Sequence, residues 1–119
     1  MKESIYYLLH DDNTITSTNN HIAFAKNKHE KWKIRQEYVV VKGHKFFVST
    51  VWLGIDHSFG GGPPLLFETM VFEERDISSE PSFDVEVDCV RYHSYQDAID
   101  GHQKMITKVK NKEYIKEIK

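Results

Sequence analysis

Phe46-Phe47-Val48-Ser49-Thr50-Val51-Trp52-Leu53-Gly54-Ile55 is a run dominated by aromatic and β-branched side chains, the composition of a β-strand. Phe46, Val48, Thr50, Trp52 and Gly54 fall on one side of it, and Phe47, Ser49, Val51, Leu53 and Ile55 on the other. Both sides are largely apolar, which predicts a central strand covered on both faces. A second strand follows at Leu65 to Phe72, where Glu68 is the one charged residue in an apolar run. Between the two lies Asp56-His57-Ser58-Phe59-Gly60-Gly61-Gly62-Pro63-Pro64, an acid-imidazole pair, an aromatic, three glycines and two prolines.

Working upstream, Arg35 to Val41 reads as a strand, joined through Lys42-Gly43-His44-Lys45 as a hairpin tip whose glycine supplies the positive φ. Asn19 or Asn20 is the expected N-cap of a helix running to about Trp32, with Ile22, Ala25, His29 and Trp32 as its thin apolar face. Ser4 to Leu9 is an opening strand, His10 to Asn13 a turn and Thr14-Ile15-Thr16 a short return arm. Downstream, Glu73 to Ser82 is polar and reads as a surface loop. Phe83 to Tyr92 alternates, with Val85, Val87 and Cys89 pointing one way and Glu86 and Asp88 the other. Ser94 and Asp97 have capping-box spacing ahead of a helix striped by Ala98, Ile99, Met105, Ile106 and Val109. Gly101 weakens that helix by roughly 1 kcal/mol against alanine, a cost that close approach to the sheet explains. Residues 111–119 are expected to fray. The fold class that results is α+β: a mostly antiparallel meander sheet of about five strands, one helix inserted early and one C-terminal helix packed on the sheet.

At 119 residues, 39% hydrophobic and 13% aromatic, the chain is one domain with one core and needs no metal or disulfide staple. A net charge of −2 lacks the basic excess of non-specific nucleic-acid binders. Cys89 is the only cysteine; it excludes an internal disulfide and any zinc site built on two or more thiolates, and reads as a small buried hydrophobe. No stretch reaches the ~18 apolar residues of a membrane span, and Met1 to Leu9 lacks a signal-peptide core. The expected setting is a reducing cytoplasm, away from membranes.

The chemistry concentrates around the glycines. Gly60, Gly61 and Gly62 can present successive backbone N–H groups to an anion with no Cβ in the way, stiffened by Pro63-Pro64. Neither a Lys-Ser/Thr pair nor a helix follows, so this is not a P-loop; a purely structural hairpin connection is the competing reading. His57 with Glu68 across the hairpin could form a general-base or metal pair, for which only His44, His93 or His102 could bring a third ligand. Otherwise Asp56 is a turn-capping residue and Glu68, if buried, must meet Arg35, Arg91, a histidine or backbone donors. Phe59 could stack on a base or insert into a partner, or simply close the end of the core. No Gly-x-Ser-x-Gly elbow is present around Ser49, Thr50 or Ser58.

The stretch Val48 to Phe72, followed by Arg91-Tyr92-His93-Ser94 and by Ala98-Ile99-Asp100-Gly101-His102, resembles a family of small uncharacterised proteins encoded by bacteriophages and prophages. The similarity covers about half the chain; the N-terminal third and the Glu73 to Ser82 loop depart from it. It implies a viral origin and no particular activity. The leading expectation is therefore a non-enzymatic phage binding protein of the host cytoplasm, without cofactor or metal. It would grip a small anionic ligand (by analogy a nucleotide sequestered in counter-defence) or a host protein through the 56–64 hairpin. The expected site is Asp56, His57, Phe59, Gly60, Gly61, Gly62, Glu68 and His102, drawn into one patch if the last helix packs close to the hairpin. The two-sided strand from Phe46 to Ile55 would suit a homo-oligomer. The alternatives are a small metal-dependent hydrolase or nuclease using His57 and Glu68, and a structural or virion accessory part.

Overall fold

A computed structural model of the chain describes residues 6–58, 61–75 and 83–115. The elements run β1 (Tyr6–Leu9), β2 (Ile15–Thr18), α1 (His21–Lys31), β3 (Lys33–Val41), β4 (His44–Trp52), β5 (Phe67–Arg75), β6 (Phe83–Tyr92) and α2 (Tyr95–Lys110). The fold is α+β and every strand pairing is antiparallel, but the strands divide into two sheets. A four-stranded meander holds β3, β4, β5 and β6 in chain order, and β1 and β2 form a separate two-stranded sheet.

The β3–β4 connection is a tight turn in which both Lys42 (φ 48) and Gly43 (φ 80) are left-handed, the geometry a two-residue hairpin needs to follow strand twist. At its other end β4 stops earlier than its composition suggests. Gly54 has φ 73, so pleated geometry cannot continue to Ile55, which makes only an isolated bridge to Tyr6. That bridge and the Tyr7 N–H donated to the Gly54 carbonyl at 2.9 Å tie the small sheet to the large one.

Helix α2 covers one face of the meander. Ser94 accepts from the Asp97 N–H at its start, and Ala98, Gly101, His102, Met105, Ile106 and Val109 are buried. They meet Phe46, Val48, Trp52, Phe67 and Val71, each 0% exposed. At Gly101 the helix lies tight against the sheet: a Cβ there would stand 2.2 Å from the Tyr92 ring. The opposite face is only half-buried, with Phe47 between Tyr38 and Phe72 at ring-centroid distances of 4.7 and 6.4 Å. So β4 is central, as expected, but a helix covers one of its faces and not both; on the other, aromatic neighbours in adjacent strands shelter Phe47 from the side.

Three more local expectations are corrected. Strand β5 runs on through Glu73 to Arg75, where polarity suggested a loop, because pairing with β6 holds the backbone; the rest of that loop lies outside the described residues. The β5–β6 register shifts between Val71 and Phe72, leaving Val87 extra on β6. A bulge of this kind reverses the alternation beyond it. Asp88 therefore pairs with core-facing Val71, and Cys89 with Met70 on the open face. After α2 the chain does not fray at once: the Tyr114 hydroxyl donates to Asp88 at 2.5 Å, and Tyr114 and Ile115 pack on the core. Among the described residues no helix is long and apolar enough to cross a membrane.

Candidate functional site

The connection from β4 to β5 is built on Asp56. Its Oδ1 accepts from the Ser58 N–H at 2.8 Å and the Leu65 N–H at 3.0 Å, and its Oδ2 accepts from the Ser58 hydroxyl at 2.9 Å. These donors, the Ser58 N–H foremost, hold the carboxyl below its ordinary pKa, because they stabilise the charged form. The two arms are closed by His57 N–H to the Leu65 carbonyl (3.0 Å) and Leu53 N–H to the Leu66 carbonyl (2.7 Å). Asp56 is thus the clasp of the loop. Above it Gly61 and Gly62 are exposed at φ 92 and 94, and among the described residues nothing lies within 4 Å of a Cβ built on either. Phe59 and Gly60, the other loop positions singled out, lie outside the described residues.

Glu68 and His102 do not join this loop in one patch. On β5, Thr69 and Phe67 face α2, so the adjacent Glu68 points to the opposite face of the sheet. There its carboxylate accepts from Arg91 Nε at 2.9 Å, with the Glu68 side chain 12% exposed. The burial that would make a lone carboxylate costly is thus compensated by a specific arginine, and the carboxylate is matched to Arg91 and not to His57. Cys89 lies near this pair. Its thiol is pushed up to about 11, by burial first and then by the Glu68 charge, which makes it a poor nucleophile.

His102 is completely buried on the α2 side of the sheet. Its Nδ1 lies 2.7 Å from Thr50 Oγ1, its Nε2 lies 2.8 Å from Glu37 Oε1, and Thr50 Oγ1 lies 2.6 Å from Thr69 Oγ1. Because an ionised carboxylate can only accept, Nε2 carries the proton and donates to Glu37. Nδ1 then accepts from the Thr50 hydroxyl, and Thr50 accepts from Thr69. Burial is the main cause holding the His102 pKa below its ordinary value; Glu37 acts against it and Arg35 with it. The order hydroxyl, imidazole, carboxylate is that of a nucleophile with its base, yet Thr50 and Thr69 are both 0% exposed. No substrate atom can approach either oxygen. The chain of bonds satisfies polar groups beneath α2, and it is the polar feature that sequence reasoning missed. Its signal was present in outline, since Thr50 shares a face with Phe46, Val48 and Trp52, and His102 follows Ala98 by four residues, one helical turn.

Among the described residues, no three His, Cys, Asp or Glu side chains gather as metal ligands. Comparison with models of protein families, with curated proteins and with solved structures finds no match.

Proposed function

We propose that this is a non-enzymatic binding protein, phage-encoded and acting in the host cytoplasm, and that it engages a host protein through the 56–64 hairpin. The viral setting rests on the resemblance carried by Val48 to Phe72. One observation carries the mode of action: Gly61 and Gly62 project into open space from a base that Asp56 has already clasped. A small anion is held by walls that bury most of its surface, and among the described residues there is none around these two glycines. A flat or concave protein surface supplies the walls itself, and a preorganised loop loses little entropy on meeting it. The commitment of Asp56, Glu68 and His102 to internal partners favours recognition over catalysis.

The test uses Gly61→Asn and Gly62→Asn together. Asparagine tolerates positive φ better than other side chains and has room here, but both positions strain any side chain, so the melting temperature should fall by several degrees while the circular-dichroism spectrum stays that of the folded chain. The host protein recovered in stoichiometric complex with the unmodified chain should then be lost. Retention of that complex, or a rise in melting temperature with nucleotides, cyclic nucleotides or divalent ions, would move the reading to another surface or to a small ligand.

A further inference from the structure

A different place in the molecule carries a ligand-binding feature. Between α1 and the end of β4 lies an open groove of about 470 Å³, a size in the range of small-molecule sites. Its walls are apolar, chiefly Phe24, Trp32, Val51 and Leu53. Its charged or titratable lining groups are Lys28 and His29, with no acid among them. Lys28 Nζ lies 6.0 Å from the Phe24 ring, and Lys33 Nζ lies 5.7 Å from the Trp32 ring, so positive charge stands at the aromatic rim.

Trp52 also lines this groove. Its ring is 0% exposed, yet among the described residues its Nε1 is the one buried side-chain nitrogen or oxygen without a hydrogen-bond partner. An orphan donor of this kind costs on the order of 1–3 kcal/mol. It lies beside Gly54, behind the groove wall at Phe24. A Cβ built on Gly54 would stand 3.2 Å from Trp52 Nε1 and 2.5 Å from the edge of the Phe24 ring, so a glycine keeps open the place where the indole N–H, the backbone and the groove wall converge. The wall is partly exposed: α1 buries none of its residues, and Phe24 is held by stacking on Tyr6 at a centroid distance of 4.7 Å. A shift of Phe24 across the Tyr6 ring would uncover the donor.

We propose that this groove binds a small amphiphilic anion: a flat apolar body lying along Phe24 and Trp32, an acceptor oxygen at its inner end taking the Trp52 N–H, and a carboxylate at its outer end beside Lys28 and His29. The positive rim selects the sign of the charge, and the unsatisfied indole selects an acceptor.

Benzoylpropionate, which has an aryl ketone and a carboxylate, is the probe. Phenylbutyrate lacks the ketone, and methyl benzoylpropionate lacks the charge. The chain has two tryptophans, so the isotope-labelled protein shows two indole N–H signals, and Trp32→Phe assigns them. Benzoylpropionate should move the Trp52 indole signal downfield in a saturable way. Phenylbutyrate should bind about tenfold more weakly, the loss of one hydrogen bond, and should leave that signal in place. The methyl ester, and benzoylpropionate added to Lys28→Gln, should each lose several-fold in affinity. An unmoved Trp52 signal at millimolar benzoylpropionate, or equal affinity for all three probes, overturns the proposal. Gly61→Asn and Gly62→Asn lie away from the groove and should not alter probe binding, so this result stands or falls apart from the hairpin's role.

Discussion

The two helices begin alike and end up differently. Asn20 accepts from the Ile22 and Ala23 N–H groups at the start of α1, and Ser94 accepts from the Asp97 N–H at the start of α2. From there α2 buries six residues and α1 none. A cap sets where a helix starts, but the width of the apolar stripe decides how much of it leaves water. Ile22 is 72% exposed, and α1 is held to the small sheet by the stacking of Phe24 on Tyr6 at a centroid distance of 4.7 Å and by polar contacts. The Asn27 amide bonds both the N–H and the carbonyl of Leu9, at 2.9 Å each, and Lys31 pairs with Asp11. The lesson is that one helix forms the core and the other forms a wall, and a wall that buries none of its residues is the kind that ligands can move.

Substitutions test that contrast. The largest expected effect is Ile106→Ala in α2, a loss of about 2–5 kcal/mol of stability in urea denaturation, because the side chain is 2% exposed in a packed cluster. Next, His102→Gln should cost about 2 kcal/mol near neutral pH by breaking a buried chain of hydrogen bonds. It should also change the pH profile. The folded imidazole resists protonation while the unfolded one takes a proton at its ordinary value of about 6.5, so the unfolded state binds more protons as pH falls. Wild-type stability should therefore be full above that value and decline as pH drops below it. The groups facing the ring (Glu37, Arg35, Thr50 and Thr69) modulate the midpoint, and the glutamine variant should lose this part of the slope.

Gly101→Ala should lower stability by about 1–2 kcal/mol: overpacking against the Tyr92 ring costs up to about 3 kcal/mol, offset by about 1 kcal/mol of helix propensity. In a surface helix the same change would stabilise, so its sign reports how closely α2 lies on the sheet. Asn27→Ala should cost about 1 kcal/mol and raise amide exchange in α1 ahead of α2. Ile22→Ala should fall within about 0.5 kcal/mol. A loss at Ile22 as large as at Ile106 would mean that α1 is covered in solution and would end the comparison.

Much of the fold was legible because its signals are local. A hairpin tip at Lys42 to Lys45 (of which His44 and Lys45 belong to β4), a cap at Asn19 or Asn20, the Ser94 cap and the apolar run of β4 each declare themselves within a few residues. The facing of β6 was not legible, because one extra residue at Val87 reverses its parity and only pairing with β5 reveals it. The candidate site divides in the same way. Asp56 could be placed as a clasp for the glycine turn from its neighbours alone. The partners of Glu68 and His102 stand 23 and 65 residues away, at Arg91 and Glu37, and no spacing rule reaches across that distance.

The sequence by itself determined which segments are strands and helices, that the strands pair antiparallel, and that a constrained glycine turn joins β4 to β5. Those properties follow from backbone sterics, side-chain branching and capping, which act over a turn or two of chain. Only the tertiary structure decided that Glu68 and His102 lie on opposite faces of one sheet, that a threonine-histidine-glutamate chain is sealed under α2, and that an indole N–H is left unpaired behind Phe24. Burial and hydrogen-bond satisfaction are set by what packs against a residue, and the packing partners come from the far ends of the chain.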